Sequence, residues 1–301
     1  MDNVLKIGGV NFWNNAEDDF INYLIEPLAK NGFKIYLINP FENEGDIVFS
    51  SGFGDVKKED LKGDPIIINY SGEHPYREDL KYIPSNYYCG FLRDAKNTLY
   101  YPLWQINYDK CIENPLERRE EDILHKDKFC TFITTNPNMK SEGVKRRTNI
   151  FHKLSEYKMV DSYGRYLNNT HIILPSYKTN FRDIQNLHKR YKFNICFENT
   201  ASDQIMNYIT EKLIFSYQYG VIPIYWGGND DDIKEIFNEK AFINCNKLSD
   251  KEIKEIVIEL DNNDKLYRDM YMEKLFKADT NWREYAENRF YNFVKNILYN
   301  G

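Results

Sequence analysis

The sequence predicts an α/β protein built from two Rossmann-like domains. Its 301 residues are enough for about two domains. Short apolar runs typical of buried strands alternate with segments of helical periodicity along most of the chain. Residues 192–228 show this alternation in compact form, as a strand, a helix and a second strand. Such a βαβ unit pairs its two strands in parallel.

The composition restricts the class of function. The chain is 42% hydrophobic and 16% aromatic, which is sufficient for packed cores. A net charge of −6 without any Lys/Arg block indicates no nucleic-acid partner. No apolar run reaches the roughly 18 residues that a membrane span requires, and the N-terminus has no signal-peptide pattern. Five scattered cysteines without CxxC spacing indicate reduced thiols, so we expect a cytoplasmic protein.

The first domain is predicted over residues 1–125. Apolar, β-prone runs predict strands at 5–12, 34–38, 46–50, 65–73, 87–92 and 99–104. Apolar residues at helical spacing predict a helix over 17–30, which Pro27 should kink near its end. No GxGxxG motif occurs, so a dinucleotide fingerprint is not supported. The charged residues 113–127 are interpreted as a helix or linker between the domains.

The second domain is predicted over residues 126–280. The predicted strands cover 128–136, 193–197, 221–226 and 241–245, with a further strand and turn within 158–169. The predicted helices cover 144–157, 208–219, 230–237, 249–264 and 266–276, and a last amphipathic helix covers 282–298. Ser249 is expected to cap the start of one helix, and Gly220 the end of another.

Polar residues cluster where the first strand of 192–228 ends and its helix begins. They are Glu198, Asn199, Tyr208, Thr210, Glu211 and Lys212. Ligands bind at the carboxyl edge of an open α/β sheet, and a helix N-terminus favours phosphate. A βαβ core explains the apolar positions, but not the combination of Glu198-Asn199 with Glu211-Lys212. The stretch therefore predicts a site for a phosphate-bearing ligand.

Three motifs of this stretch, FENT, YITEK and VIPIYWG, resemble the donor-site signature of α-1,3-fucosyltransferases that use GDP-fucose, bacterial members especially. The resemblance spans most of the chain and is densest in motifs from Phe129 to Gly228. It implies the GT-B arrangement, in which two Rossmann-like domains face each other across a cleft. It also implies that the C-terminal helix, residues 281–301, crosses back to the first domain. The first domain would bind the acceptor, and the second the GDP-sugar.

The resemblance implies a general base in the first domain. Glu73 follows Ser71-Gly72 at the end of a predicted strand, where the family has a Gly-Glu-Asn turn with the proposed base. His74 stands in place of that Asn, which could alter acceptor preference. An exposed turn carboxylate is the alternative for Glu73.

The resemblance also implies a metal-independent donor site. Arg165 stands where the family has an arginine that contacts the donor diphosphate, and Lys212 with the helix start near Thr210 would add positive charge. Glu211 would accept hydrogen bonds from hydroxyl groups, and Glu198 would orient the sugar or stabilise its transition state. Asn199 and Tyr208 would line the donor. The pair Arg146-Arg147 either faces the diphosphate or forms a solvated surface.

No metal site is predicted. The five histidines form no HExxH-like cluster. Asp230 to Asp232 could form a metal-binding DxD, but carboxylates at a helix start more simply cap it. We therefore expect no required cofactor, and stimulation by a divalent cation stays open.

These expectations converge on an inverting glycosyltransferase. It would move L-fucose from GDP-fucose to a hydroxyl group, expected to be O3 of GlcNAc or Glc, of an oligosaccharide or glycoconjugate. Protein glycosylation and lipopolysaccharide synthesis are the contexts, and peripheral contact with the cytoplasmic membrane face is compatible with them. Three alternatives stay open: another GDP-deoxyhexose donor, a non-catalytic carbohydrate-binding relative, and a hydrolase that uses Glu198 and Glu211 as its carboxylate pair.

Overall fold

The chain forms two compact units, one of residues Met1–Tyr108 with Thr280–Gly301 and one of residues Asp109–Asp279. The structure is a computed structural model. It describes residues 4–13, 17–73, 80–92, 96–108, 117–135, 141–174, 177–200 and 208–300.

The first unit contains a six-stranded parallel sheet. Its strands are β1 (Val4–Val10), β2 (Lys34–Leu37), β3 (Ile47–Ser50), β4 (Ile66–Tyr70), β5 (Tyr87–Gly90) and β6 (Thr98–Tyr100). They lie in the order β2-β1-β3-β4-β5-β6, and every neighbouring pair is parallel. Its central strands β3 and β4 are covered on both faces and are therefore mostly apolar, as the sequence indicated.

Pro27 shapes the first helical segment. Helix α1 is α-helical over Glu17–Phe20 and Glu26–Lys30, with a π-helical turn, Ile21–Ile25, between them. Proline has no N–H group, so the carbonyl of Tyr23 loses its usual intrahelical donor. The hydroxyl of Tyr101 donates to that carbonyl at 2.8 Å instead. The predicted irregularity is therefore a π turn just before Pro27.

Residues 99–104 divide between two structures. β6 ends at Tyr100, and a short helix, α2 (Leu103–Ile106), follows. Pro102 cannot donate to a strand ladder, and its carbonyl accepts from the amide of Gln105 at 3.1 Å. The prediction of a β-like run through residue 104 was wrong for this reason.

The C-terminal helix Trp282–Asn300 packs into the first unit. Its buried face consists of Ala286, Phe290, Val294 and Ile297. The ring of Phe290 stacks on Tyr101, with centroids 4.8 Å apart at 14°. The last helix therefore crosses back to the first sheet, as the predicted fold class requires.

The second unit contains a five-stranded parallel sheet. Its strands are β7 (Lys128–Phe132), β8 (Val160–Ser162), β9 (Tyr191–Ile195), β10 (Ile222–Tyr225) and β11 (Ile243–Asn244). Their order is β11-β10-β9-β7-β8. The helices are α3 (Glu120–Ile123), α4 (Glu142–Ser155), α5 (Tyr177–His188), α6 (Lys212–Gln218), α7 (Asp230–Ile236), α8 (Asp250–Asn262) and α9 (Asp264–Met272).

The described residues before β7, 117–126, lie in the second compact unit, Asp109–Asp279. The domain border at residue 125 stays a prediction. The buried guanidinium of Arg118 donates to the carbonyls of Tyr217 and Tyr271, each at 2.8 Å. Lys126 donates to the carbonyl of Tyr191 at 2.9 Å. The charges that suggested a solvated linker therefore include two buried cations that bind backbone carbonyls of the second unit.

Helix ends that depend on neighbouring residues were predicted, whereas a helix start that depends on a distant residue was not. Ser249 caps α8 through a reciprocal pair of bonds with Glu252, as predicted. Gly220 follows α6 with a φ of +76°, a conformation that favours glycine, and confirms the predicted helix end. Helix α6 begins at Lys212, four residues later than predicted, because the amide of Thr210 donates to the Glu198 side chain at 2.8 Å. Helix α5 was missing from the prediction.

Candidate functional site

A cavity of about 650 Å³ opens at the carboxyl edge of the second sheet. It is lined by residues that follow β7 and β9 and by one face of α6. Its volume lies in the range of small-molecule and cofactor sites. Parallel sheets bind ligands at this edge, so the cavity is the candidate functional site of the second unit.

The cavity lining has a polar part and an apolar part. The polar part includes Arg147, Arg165, Glu211 and Lys212. The apolar part includes Ile133, Ile173, Leu174, Ile184, Phe215 and Tyr219. The ring of Tyr219 stacks on the buried His188, with centroids 4.7 Å apart at 26°. Such a lining suits a molecule with one flat apolar portion and one anionic portion.

Glu198, Thr210 and Lys212 form one hydrogen-bonded network beside this cavity. Lys212 Nζ donates to Glu198 Oε2 at 2.9 Å and to Thr210 Oγ1 at 2.8 Å. The Thr210 amide and hydroxyl donate to Glu198 Oε1 at 2.8 and 2.9 Å. Charge-assisted hydrogen bonds of this kind are the strong ones. The network therefore holds the Lys212 ammonium at a defined place in the cavity wall.

Burial determines the electrostatics of this network. Glu198 has 0% exposure, whereas 28% of the Lys212 side chain is exposed. Burial raises the pKa of Glu198 above the ordinary range, and the Lys212 ammonium limits that rise. In this structure the Glu198 carboxylate is fully buried and pairs with Lys212. Its role toward the sugar stays a prediction.

Two glycines make room for the Glu198 segment. A Cβ on Gly227 would lie 2.2 Å from Glu198 Cγ, and Gly227 has a φ of +154°. A Cβ on Gly143, in the first turn of α4, would lie 2.0 Å from the Glu198 carbonyl oxygen. Both positions therefore require glycine if Glu198 is to keep its place.

Arg147 is a site residue that the sequence prediction left undecided. It is 6% exposed and lines the cavity. Its Nη1 donates to Asn199 Oδ1 at 3.2 Å. Burial lowers the pKa of Arg147, while Glu198 and Tyr208 oppose that shift through their charges. Arg147 is thus a buried cation of α4 that binds Asn199, the residue after Glu198.

The neighbouring Arg146 has a different environment. Its Nη2 donates to the carbonyl of Cys245 at 2.8 Å, and its guanidinium lies 5.1 Å from the centre of the Trp226 ring. It is absent from the described lining of the cavity. Successive residues of a helix point about 100° apart, so only one of the two arginines reaches the cavity.

The other predicted donor residues occupy several positions. Glu211 and the exposed Arg165 line the cavity. Tyr208 and Thr210 are buried at 1% and 2% exposure and do not belong to its described lining. The carbonyl of Asn199 accepts from the amide of Gly143 at 3.0 Å, at the start of α4.

Glu73 lies in the first unit, directly after β4. Its amide donates to Ser71 Oγ at 3.1 Å, and its carbonyl accepts from the same hydroxyl at 2.8 Å. The side chain is partly buried. The turn is therefore held by its own hydrogen bonds at the carboxyl edge of the first sheet. His74 lies outside the described residues, and the role of Glu73 stays a prediction.

The acidic run Asp230–Asp232 occupies the first turn of α7, with Asn229 as the capping residue. Asp230 is paired with Lys247 at 2.7 Å. Within the described ranges, no cluster of three His, Cys, Asp or Glu side chains is arranged for a metal ion. Over the same ranges no helix has the length and apolar character needed to cross a bilayer. The cytoplasmic location stays a prediction.

Comparison with solved structures defines the class of fold. A crystal structure of an α1,3-fucosyltransferase superposes with a TM-score of 0.75 and 23% identity, over 98% of this chain and 90% of that chain. An α1,3-fucosyltransferase structure with GDP-fucose gives a TM-score of 0.73 at 22% identity, over 98% of this chain and 90% of that chain. The two-sheet α/β architecture is therefore that of the GT-B glycosyltransferases, as predicted.

The chain belongs to glycosyltransferase family 10. The family model "Glycosyltransferase family 10 (fucosyltransferase) C-term" matches residues 123–295, more than half of the chain. The resemblance inferred from FENT, YITEK and VIPIYWG is confirmed.

Several relatives share this part of the sequence. The Helicobacter pylori alpha-(1,3)-fucosyltransferase FucT is 33% identical over 125 residues, which is 42% of this chain and 22% of that protein. The Xenopus laevis GDP-fucose protein O-fucosyltransferase 3 is 31% identical over 132 residues, 43% and 28% of the two chains. A putative fucosyltransferase of Acanthamoeba polyphaga mimivirus is 28% identical over 191 residues, which is 60% of this chain and 29% of that protein. The match covers less than a third of each relative.

Proposed function

We propose that the chain transfers L-fucose from GDP-fucose to a hydroxyl group of an acceptor glycan, with inversion at the sugar C1. The single observation that carries the proposal is the Glu198–Thr210–Lys212 network at the wall of a 650 Å³ cavity. Membership of family 10 and the names of the relatives support fucose as the sugar and GDP as its carrier.

The second unit is the donor-binding domain in this proposal. Lys212 and Arg147 neutralise the diphosphate, and the planar guanidinium of Arg147 can contact two phosphate oxygens at once. Arg165, at the exposed part of the lining, adds a third positive charge. The apolar part around Ile184 and Tyr219 receives the nucleobase. Glu211 accepts from hydroxyl groups of the ribose or the sugar.

The first unit is the acceptor-binding domain, and Glu73 is the general base. The Glu73 carboxylate takes the proton of the acceptor hydroxyl while that oxygen attacks C1 of fucose. The bond between C1 and the diphosphate oxygen breaks, and GDP leaves with the electron pair. A carboxylate at the carboxyl edge of a parallel sheet is suitably placed for this role.

Calorimetric titration tests the donor site. GDP, GDP-fucose and GDP-mannose are titrated into the full chain, with and without a chelator. We expect micromolar GDP affinity that a chelator leaves unchanged, with GDP-fucose bound more tightly than GDP-mannose. Lys212→Ala should abolish this affinity. Undetectable GDP binding would refute the proposal. A preference for a different GDP-deoxyhexose would change only the donor sugar assigned to the site.

Kinetics test the base. Glu73→Gln removes the proton acceptor with little change in shape, so turnover should fall by about 10²–10⁴-fold. GDP affinity should stay unchanged, because Glu73 lies outside the donor-binding unit. The matched control is Glu59→Gln, which alters an exposed carboxylate of the same unit. Near-full activity of Glu73→Gln would remove Glu73 from the mechanism.

A further inference from the structure

The carboxyl edge of the first sheet carries a hydrogen-bonded loop pair that the proposed mechanism does not use. One loop follows β1 and contains Asn11 and Trp13, and the other comprises residues 51–57 after β3. Asn11 has a φ of +59°, in the left-handed region that residues other than glycine rarely occupy. Its buried side chain donates to the Val56 carbonyl at 2.9 Å and accepts from the Val56 amide at 3.0 Å.

Further contacts bind the two loops together. The backbone carbonyl of Asn11 accepts from the amide of Phe53 at 2.9 Å. A Cβ on Gly54 would lie 2.3 Å from Asn11 Oδ1, so glycine permits this close approach. Unfavourable backbone conformations that the surrounding contacts maintain cluster at ligand-binding sites. The loop pair thus has a specific geometry that its own contacts preserve.

The loop pair presents two aromatic side chains. The rings of Trp13 and Phe53 meet edge to face, with centroids 5.7 Å apart at 79°. Trp13 Nε1 donates to Asp19 Oδ2 at 3.3 Å, which orients the indole. Phe53 is 37% exposed, and Trp13 is partly exposed. Rings held in place before binding lose little conformational freedom when a ligand stacks on them.

Glu73 lies at the same edge of the same sheet. β1, β3 and β4 are successive neighbours, and Glu73 follows β4. Two interstrand spacings, about 10 Å, separate β1 from β4. The C–H groups on one face of a pyranose ring carry partial positive charge, which the negative face of an aromatic ring attracts. The loop pair and Glu73 thus lie on one sheet edge, within the span of a short oligosaccharide.

We propose that Trp13 and Phe53 form an aromatic platform for a pyranose ring of the acceptor glycan, next to the sugar that receives fucose. The pyranose stacks on one aromatic ring and packs against the other, which stands nearly perpendicular to it. The inference rests on the proposed function, because it assigns part of the acceptor site. The platform favours oligosaccharides over monosaccharides, since it binds a ring other than the one that reacts.

The test compares Trp13→Ala, Phe53→Ala and Trp13→Phe with the wild-type chain. Tyr299→Ala, which removes a 46% exposed aromatic ring from the C-terminal helix, is the control. Each protein is applied without nucleotide to a printed array of oligosaccharides. Kinetic constants with GDP-fucose are then measured for the best-retained glycan, for N-acetyllactosamine and for GlcNAc.

Both alanine variants should raise the KM for the oligosaccharide by about tenfold, and Trp13→Phe should retain most of the affinity. The KM for GDP-fucose, and its slow hydrolysis without acceptor, should not change. Unchanged oligosaccharide KM in both alanine variants, or a wild-type chain that neither retains nor modifies any glycan, would overturn the platform. Failure of GDP-fucose to bind in calorimetry would instead overturn the proposed function. Phe53 is exposed, so its variant should fold even if Trp13→Ala does not.

Discussion

The ion pair between Lys212 and Glu198 permits a quantitative test of the donor-site network. Replacing Lys212 with Met removes the ammonium and keeps an unbranched side chain that is one atom shorter. Glu198 would then keep its donors from Thr210 but lose its hydrogen-bonded ion-pair partner. Removal of one partner of a buried ion pair leaves an uncompensated charge, which is the costly outcome.

The burial and the hydrogen bonds of the pair determine how much stability Lys212→Met removes. Breaking a fully buried pair costs roughly 3–5 kcal/mol, and the partial exposure of Lys212 together with the remaining Thr210 bonds reduces this to about 2–3 kcal/mol. Glu198→Gln in the Lys212→Met background removes the buried charge. The double variant should therefore recover part of the loss, with a coupling energy of about 1.5 kcal/mol or more.

Urea unfolding of the four proteins gives the coupling energy as a double-mutant cycle. GDP titration of the same samples reports the nucleotide affinity, which should fall in every variant that lacks Lys212. The matched control is the cycle for Lys251 and Glu255, an i,i+4 pair on α8 whose side chains are 80% and 61% exposed. An exposed pair should give a coupling of about 0.5 kcal/mol or less. A Lys212–Glu198 coupling no larger than this control would refute the reasoning.

Three further predictions concern other residues of the second unit. Gly143→Ala should destabilise the second unit by about 3 kcal/mol or more and weaken GDP binding, because its Cβ would lie 2.0 Å from the Glu198 carbonyl oxygen; calorimetry and unfolding measure both, and a neutral variant would contradict the packing. Burial lowers the pKa of His188 from 6.5 to about 4, so between these pH values the unfolded chain binds a proton that the folded chain does not. The free energy of unfolding should therefore decrease by about 3 kcal/mol, for this residue, as the pH is lowered from 6.5 to about 4. In urea titrations His188→Gln should lose this part of the pH dependence, and an unchanged pH dependence would mean that other groups cause it. Arg147→Lys should weaken GDP binding by about tenfold because lysine lacks the planar fork, while Arg146→Lys should shift only the unfolding midpoint; equal GDP affinities in the two variants would contradict the assignment.

Local sequence determined most strands of both sheets. Central parallel strands are covered on two faces, so runs such as residues 47–49 and 66–68 are apolar without interruption and carry a strong signal. Helix ends with local caps, such as Ser249, were also predictable, since every atom of the cap lies within one turn.

Elements that depend on distant partners were not predictable. Helix α6 begins at Lys212 because the carboxylate that accepts from the Thr210 amide belongs to Glu198, twelve residues earlier. The segment before β7 packs in the second unit because the Arg118 guanidinium donates to the carbonyls of Tyr217 and Tyr271. A propensity or a charge pattern contains no information about such contacts.

Some features of the candidate site were likewise predictable from the sequence, and others were visible only in the tertiary structure. The sequence by itself placed Glu198, Thr210 and Lys212 in one βαβ stretch, since strand end and helix start must lie together in such a unit. Only the tertiary structure decided that the Glu198 carboxylate is buried behind Lys212, and that Arg147 rather than Arg146 lines the cavity. Burial and side-chain direction depend on how α4 packs on the sheet, and that packing requires the whole fold.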